Sequence, residues 1–140
     1  MKRAVIAIVD AARARLYTFD HGDTPRDQQL REVRALSNAG HASVDHRDAN
    51  TEEHDNAFAK QVIDELDRVS RDGGYGHVIL VASPHMLGEL RKCGGMLRRN
   101  GLVVDEVQRD LAWLTSPQVH DQLARMNLIP ARQRLQFAQR

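Results

Sequence analysis

Short apolar runs separated by polar turns fill the first part of the chain. Residues 4–9 (AVIAIV) are continuously apolar, which predicts a buried strand that ends at Asp10. Within residues 14–20 (ARLYTFD), Leu16 and Thr18 alternate with Tyr17 and Phe19. This alternation predicts a second strand, paired with the first as a hairpin. Residues 29–36 (QLREVRAL) predict a third strand, with a short helix as the alternative. Three consecutive strands therefore open the predicted fold.

A long polar segment follows these strands. Residues 37–53 carry almost no large apolar side chain, and an exposed loop of this length is expected to be functional or mobile. Apolar residues then recur at three- and four-residue spacing over residues 54–71, which predicts an amphipathic helix. The Asp-Gly-Gly sequence at 72–74 is expected to end that helix.

Helices and strands alternate in the remainder of the chain. Residues 77–82 (HVILVA) give the clearest strand, because a continuous apolar run is typical of a sheet covered on both faces. The other predicted elements are a helix over 84–92, a further turn over 96–99 after Gly94-Gly95, a strand over 102–107, a connection over 109–114, and a helix from Ser116 to Met126. We expect Ser116 to cap that last helix, with Pro117 at its first position.

The predicted element order is β-β-β-α-β-α-β-α. It indicates an α/β fold in which a mixed five-stranded sheet carries helices on its faces, the order of a ribonuclease-H-like domain. No internal repeat or linker divides the chain. We therefore predict a single domain over residues 1–126 and a basic, loosely held tail over residues 127–140.

Balanced charge restricts the classes of partner. The 140 residues include 20 Lys and Arg and 19 Asp and Glu, so a nucleic-acid or membrane partner would need a local patch. The longest apolar runs are too short to span a bilayer, and the apolar start is interrupted at Asp10, unlike a secretory signal. The single cysteine, Cys93, excludes an internal disulfide and fits a reducing compartment. We therefore predict a cytoplasmic protein without a membrane partner.

The stretch VILVASPHMLGELRKC, residues 78–93, is typical of the strand-to-helix corners where many α/β sites lie. Ser83 could be a nucleophile, but no G-x-S-x-G elbow surrounds it, and His85 should project in another direction from the helix start. The favoured interpretation is that Ser83 caps the helix and Pro84 occupies its first turn. An anion bound at the start of this helix is the alternative.

Asp10 is the candidate for metal chemistry, because a ribonuclease-H-like nuclease keeps a metal-binding carboxylate after its first strand. Such a nuclease needs several acids around two magnesium ions, whereas the fourth strand here ends in Ala82-Ser83. We therefore predict no catalytic residue, no bound metal and no cofactor. A metal-dependent hydrolase or nuclease that uses Asp10 is the alternative function.

Two further sets of polar residues are candidates for binding. The long loop carries imidazoles and carboxylates whose spacing matches no compact metal motif: His41, Asp45, His46 and Asp48. Basic residues could contact phosphates or be ordinary solvated charges: Arg13, Arg15, Arg91, Lys92, Arg98 and Arg99. Few aromatic residues are available for base stacking. The thiol of Cys93 could have a lowered pKa beside Lys92, although a bystander thiol is the favoured interpretation.

Four segments together resemble the bacterial host attachment protein family, also described as proteins required for attachment to host cells. They are IVDAARARLYTFD, AFAKQVIDEL, VILVASPHMLGELRK and VVDEVQRDLAWLTSPQVHDQL, and they occur in the family's order. The family is grouped with bacterial relatives of the middle domain of the eukaryotic class-one release factor. The resemblance therefore implies the ribonuclease-H-like architecture, but it supplies no established catalytic residues.

The release-factor relationship implies that residues 37–53 occupy the place of a functional tip in the release factor. In the release factor, a Gly-Gly-Gln tip precedes the first long helix and enters the peptidyl-transferase centre. The matching segment here has no Gly-Gly-Gln, and Gly94-Gly95 lies after the second helix and precedes Met96. We therefore predict no peptidyl-tRNA hydrolysis. The expected function is non-catalytic binding of a ribosomal, RNA or protein partner through residues 37–53 and the Asp10–Arg15 corner, with adhesion to host cells as a further alternative.

Overall fold

Five strands form one mixed sheet at the centre of the molecule. The computed structural model describes residues 3–20, 29–38 and 49–132, apart from the side chains of 49–52. The strands are β1 (Ala4–Val9), β2 (Arg13–Phe19), β3 (Leu30–Ser37), β4 (His77–Ala82) and β5 (Val103–Gln108). Across the sheet their order is β3-β2-β1-β4-β5. Strand β2 is antiparallel to β1 and β3, whereas β4 is parallel to β1 and β5.

Helices cover both faces of this sheet. They are α1 (Ala49–Gly73), α2 (Pro84–Cys93), α3 (Gly95–Arg99) and α4 (Ser116–Arg125). Residues of α1, α2 and α3 share one hydrophobic core with the sheet, and residues of α4 share the other. The α/β class, the third strand and the mixed five-stranded sheet with helices on its faces, all predicted from the sequence, are confirmed.

The continuous apolar runs of β1 and β4 are explained by burial on both sides. Successive side chains of a strand point to opposite faces, so alternate residues of β1 enter different cores. Val5, Ala7 and Val9 pack under α1 and α2, whereas Ile6 and Ile8 pack on the opposite face with α4. A polar residue on either face of these strands would therefore be buried.

The long polar loop is shorter than the sequence predicted. Residue 37 belongs to β3, and α1 begins at Ala49 rather than at His54. The apolar stripe failed to reveal this start because Glu53 and His54 are exposed, so no core contact requires apolar side chains there. The loop candidates His41, Asp45, His46 and Asp48 lie outside the described residues.

Helix α4 is capped by Thr115 rather than by the predicted Ser116. The Oγ1 of Thr115 accepts a hydrogen bond from the backbone N–H of Gln118 at 3.4 Å, and the Thr115 N–H donates to Gln118 Oε1 at 2.9 Å. This reciprocal capping box satisfies the backbone N–H groups of both Thr115 and Gln118. A cap at Ser116 would leave these two donors without those partners. Ser116 is therefore the first residue of the helix.

The packed part of the chain continues beyond Met126. Ile129 is buried in the core shared with α4, and the Nε2 of His120 lies 2.8 Å from the Pro130 carbonyl oxygen. Arg132 forms an ion pair with Asp121 at 2.8 Å. These contacts hold residues 127–132 against the domain, and residues 133–140 of the predicted tail lie outside the described part.

Candidate functional site

The carboxyl ends of β1, β4 and β5 meet at one edge of the sheet, which we call the carboxyl edge. Val9 pairs with Ala82, and Ala82 pairs with Gln108, so the three parallel strands end side by side. Ligands of parallel sheets commonly bind outside this end of the strands. The residues that follow the strands here are Asp10, Ser83 and Arg109.

Asp10 stabilises the turn between β1 and β2. Its Oδ1 accepts hydrogen bonds at 2.8 Å from the backbone N–H groups of Ala12 and Arg13. Its own N–H donates to the Arg13 carbonyl at 2.9 Å. Within the described residues, no group of three or more His, Cys, Asp and Glu side chains could hold a metal ion. The position of Asp10 is therefore explained by the turn.

A buried carboxylate that the sequence analysis did not single out lies nearby. Asp55 of α1 is 3% exposed, and its two oxygens have different partners. Asn38 Nδ2 donates to Oδ1 at 2.9 Å, and the Nε2 of His85 lies 2.9 Å from Oδ2. Asn38 also donates to the carbonyls of Ala11 and Ala12. This network joins the end of β3, the β1–β2 turn, α1 and α2.

The pair of Asp55 and His85 fixes one nitrogen of an imidazole at the carboxyl edge. A carboxylate that orients a histidine occurs in metal sites and in catalytic triads. His85 is 56% exposed in its side chain, and within the described residues no third acid, histidine or cysteine joins the pair to complete a metal site. The pair therefore anchors α2 to α1.

Ser83 occupies the N-cap position of α2, as predicted, and Pro84 begins the helix. The side chain of Ser83, however, makes no cap hydrogen bond to the described start of α2. The backbone carbonyl of Ser83 accepts from the N–H of Leu87 at 2.8 Å, which begins the helical hydrogen bonding. The Ser83 hydroxyl therefore does not form the capping hydrogen bond that was predicted from the sequence.

Arg15 faces the protein rather than solvent. Its Nη1 donates to the carbonyl oxygens of Ala112, at 3.4 Å, and Leu114, at 2.6 Å. The same guanidinium forms an ion pair with Glu32 at 3.3 Å. Arg15 therefore holds the connection between β5 and α4 against β2, and its donors are engaged within the chain.

The other basic candidates divide into paired and unpaired side chains. Arg91 forms an ion pair with Glu106 at 2.7 Å, and Lys92 forms one with Glu89 at 3.2 Å. Arg13 is exposed at the carboxyl edge, and its guanidinium has no hydrogen-bond or ion-pair partner among the described residues. Arg91 and Lys92 of α2 are therefore paired with acids, whereas Arg13 has no such partner in the described part of the chain.

The side chain of Trp113 is 72% exposed, although the backbone around it is held firmly. The adjacent Leu111 and Ala112 are buried, and Arg15 binds the carbonyls on both sides of Trp113. Tryptophan is usually well buried, so an exposed one on a fixed backbone is informative. The single Trp of the sequence, in the connection between a strand and a helix, was the available signal.

The thiol of Cys93 is half-buried. Burial raises its pKa, an effect larger than the opposing influence of a backbone hydrogen bond and of Lys60. Its Sγ lies 3.5 Å from the carbonyl oxygen of Glu89. The possibility that Lys92 lowers this pKa is therefore wrong, and the bystander interpretation is the one that the structure favours.

The sheet order and the carboxyl edge define a small α/β protein in which the carboxylates of Asp10 and Asp55 bind neighbouring groups of the same chain. This chain belongs to the family described as "Protein required for attachment to host cells", whose model matches residues 22–123. No curated protein matches the chain.

Two solved structures are similar in outline. The Aquifex aeolicus Ppx/GppA phosphatase is 13% identical, with a TM-score of 0.41, over 77% of this chain and 36% of the phosphatase. Thermus thermophilus RuvC is 12% identical, with a TM-score of 0.40, over 94% of this chain and 84% of RuvC. The chain thus spans about a third of the phosphatase, and neither likeness carries information about what it binds.

In the described ranges, no helix combines sufficient length with sufficient hydropathy to span a membrane.

Proposed function

We propose that this chain is a non-catalytic binding module that holds a protein partner at the surface formed by Arg13, Arg109 and Trp113. We call this the Trp113 surface, and we propose that it contributes to host attachment through that partner. The observation that carries the proposal is an exposed Trp113 whose flanking carbonyls are both fixed by Arg15.

Preorganisation is the physical reason for choosing Trp113. A partner that buries this side chain gains a large apolar contact, while the backbone loses little freedom because Arg15 already holds it. Tryptophan and arginine are also the residues most enriched at energetic centres of protein interfaces. Fixed backbone around an exposed aromatic side chain is therefore an arrangement suited to binding.

Charge indicates the character of the partner. Arg13 and Arg109 are exposed, and neither guanidinium has an ion-pair partner among the described residues. Both side chains belong to segments at the carboxyl edge, where β2 begins and β5 has just ended. Acidic groups on the partner would complement them, and such groups improve specificity and the rate of association.

A protein partner is favoured over RNA by the wider charge distribution. The formal net charge is only +1, and nucleic-acid-binding domains are usually strongly basic. Arg91 and Lys92 are already paired with acids of the same chain. The ribosomal or RNA partner implied by the release-factor relationship, and the cytoplasmic location, stay predictions.

Retention of a partner from lysate tests the proposal. Wild-type chain, Trp113→Ser and the matched control Val103→Ser would be immobilised, since Val103 is another exposed apolar residue at 62%. The lysate is used both with and without nuclease treatment, and the protein retained from the treated lysate is identified, purified and titrated by calorimetry. We expect Trp113→Ser to weaken its affinity by about tenfold or more, while Val103→Ser binds as wild type does.

Two results would contradict the proposal. One is equal affinity of Trp113→Ser and wild type for the purified partner, and the other is retention that disappears when RNA is removed. Host attachment is tested separately, in a strain that lacks the gene and is complemented with each variant. We expect Val103→Ser to restore attachment and Trp113→Ser to fail, at matched protein levels.

A further inference from the structure

The buried imidazole of His120 in α4 has a partner for only one of its two nitrogens among the described residues. His120 is 1% exposed, and its Nε2 lies 2.8 Å from the carbonyl oxygen of Pro130. Because a carbonyl oxygen can only accept, Nε2 carries the proton of the neutral ring. Nδ1 is the unprotonated nitrogen, and it is buried without a hydrogen-bond partner in the described part of the chain. These surroundings therefore supply an acceptor for one ring N–H and not for two.

The chain that follows α4 folds back along the helix towards this ring. Asn127 has a φ of 60°, in the left-handed region that asparagine tolerates better than most residues. The N–H of Leu128 donates to the carbonyl of Leu123 at 3.0 Å, the long bond of a Schellman motif. This motif ends α4 and reverses the direction of the chain. We call residues 129–132, which come next, the strap.

The strap is held against α4 by apolar, hydrogen-bond and ionic contacts. Ile129 is 4% exposed and belongs to the core that α4 shares with the sheet. The carbonyl of Pro130 accepts from His120, and Arg132 binds both carboxylate oxygens of Asp121, at 2.8 and 2.9 Å. The strap belongs to no helix or strand, so its release would break no pairing in the sheet.

The charged groups around the imidazole are already paired with one another. Asp121 of α4 and Arg132 of the strap both act on the ring, and they form the ion pair described above. From β2, the uncharged ring of Phe19 meets the imidazole edge-on, with the ring centres 5.5 Å apart. On the same face of the sheet, Arg15 of β2 is paired with Glu32 of β3. Each of these carboxylates is therefore occupied by an arginine.

Protonation of His120 would not fit these surroundings. An imidazolium carries N–H groups on both nitrogens, so one N–H and the new charge would be buried without an acceptor in the described chain. Burial accordingly lowers the pKa of His120 below 6.5. Release of the strap would let water reach Nε2, whereas removal of α4 from the sheet would also expose Val119 and Leu123. Opening of the strap is therefore the smaller rearrangement that hydrates the charge.

We propose that the strap is a pH-dependent conformational switch, closed over neutral His120 and opened when His120 is protonated in mild acid. Opening transfers Ile129 from the core to solvent. Because opening takes up one proton, the ratio of open to closed strap rises by up to about tenfold for each pH unit below 6.5. Arg132 lowers the pKa of Asp121, so the ion pair persists in this pH range. The switch is independent of the proposed protein partner.

Thiol labelling of a buried probe in the strap tests the proposal. Ile129→Cys is combined with Cys93→Ser, so that the probe is the only thiol of the chain. Its labelling rate in the folded chain, divided by the rate in the chain unfolded in urea at the same pH, measures the open fraction. We expect this fraction to rise between about pH 7.5 and 5.5, with a slope that approaches tenfold per pH unit.

Two substitutions in this background identify the group that titrates. His120→Gln keeps an N–H donor for Pro130 but does not titrate in this range, so the open fraction should not change with pH. His77→Gln is the matched control, because it removes another largely buried histidine, which is paired with Asp105 of β5. This control should keep the full pH response of the strap.

The chain without substitutions supplies a second measurement. The ¹⁵N heteronuclear NOE of residues 131–132 should decrease in acid, while that of the β4 amides stays unchanged. The proposal would be overturned if the open fraction does not depend on pH, if its rise persists in His120→Gln, or if β4 loses order together with the strap. Should His120→Gln fail to fold, an NOE of the strap that is equal at about pH 7.5 and 5.5 would overturn it as well.

Discussion

The guanidinium Nη1 of Arg15 lies 2.6 Å from the carbonyl oxygen of Leu114. A second contact, to the carbonyl of Ala112, completes a link between β2 and the connection that carries Trp113. Hydrogen bonds from a charged donor contribute about 1.5–3 kcal/mol each to stability. We expect Arg15→Ala to lower the free energy of unfolding by about 2–3 kcal/mol, as measured by urea denaturation. Since Trp113 is the single tryptophan, its fluorescence anisotropy should also decrease.

Arg13→Ala is the matched control for this experiment. Arg13 lies two residues away on the same strand, and its guanidinium has no partner among the described side chains. Its removal should change the free energy of unfolding by less than about 0.5 kcal/mol. Equal effects of the two substitutions would show that Arg15 does not act through the carbonyls beside Trp113.

Asp10 is expected to matter for stability through its turn. Asp10→Ala removes both hydrogen bonds that Oδ1 accepts and should cost about 1–3 kcal/mol in denaturation experiments. Asp10→Asn keeps a side-chain oxygen as acceptor and should retain most of that stability. A magnesium- or manganese-dependent nuclease assay provides the contrast. Activity that Asp10→Asn abolishes in a folded protein would establish the hydrolase alternative instead.

The buried His120 predicts a loss of stability in mild acid. Burial lowers its pKa below the ordinary value of 6.5, against the raising effects of the Pro130 carbonyl and Asp121. The unfolded chain therefore binds the proton more readily than the folded chain does. The contribution of His120 to stability is complete above pH 6.5 and decreases as the pH falls below that value.

Urea denaturation between about pH 7.5 and 5.5 measures this dependence. His120→Gln does not titrate in that range and can still donate a hydrogen bond towards Pro130. We expect its free energy of unfolding to vary less with pH than that of the wild type, whatever its absolute value. Parallel pH profiles for the two proteins would mean that other groups cause the dependence.

Cys93 is expected to react slowly with thiol reagents. Because burial raises its pKa, the reactive thiolate is less populated at neutral pH than in an ordinary cysteine. Reaction with a disulfide reagent such as DTNB should be slower than that of a free thiol and should accelerate on unfolding. Lys92→Ala should leave the rate unchanged, and a slower reaction of this variant would restore the idea that Lys92 activates the thiol.

Burial on two faces explains which elements the sequence could predict. Strand β1, and β4 after His77, carry apolar residues at every position, and the buried stripe of α1 follows from Phe58, Val62 and Leu66. The first turns of α1 contain exposed Glu53 and His54, so their pattern could not be separated from that of a polar loop. Helical structure outside the core has no hydrophobic signature.

The candidate site was harder to predict, because its contacts join distant parts of the chain. Asp55 lies three residues before Phe58, in register with the apolar stripe, and a carboxylate at such a position was an available signal of a buried partner. Its partners, Asn38 and His85, lie on other elements. The guanidinium of Arg15 was predicted either to contact phosphates or to be an ordinary solvated charge. Its acceptors could not be predicted, because they are backbone carbonyls about a hundred residues later.

The place of β1 between β2 and β4 has a consequence for synthesis of the protein. During translation, β2 is available to one edge of β1 almost at once, whereas β4 follows only after β3 and the whole of α1. Until then, an entirely apolar strand presents an unpaired edge, the feature through which nascent chains aggregate. Pulse-labelled hydrogen exchange should find the β2 amides protected before those of β4. That edge of β1 is therefore covered only after the chain has been synthesised through Ala82, the last residue of β4.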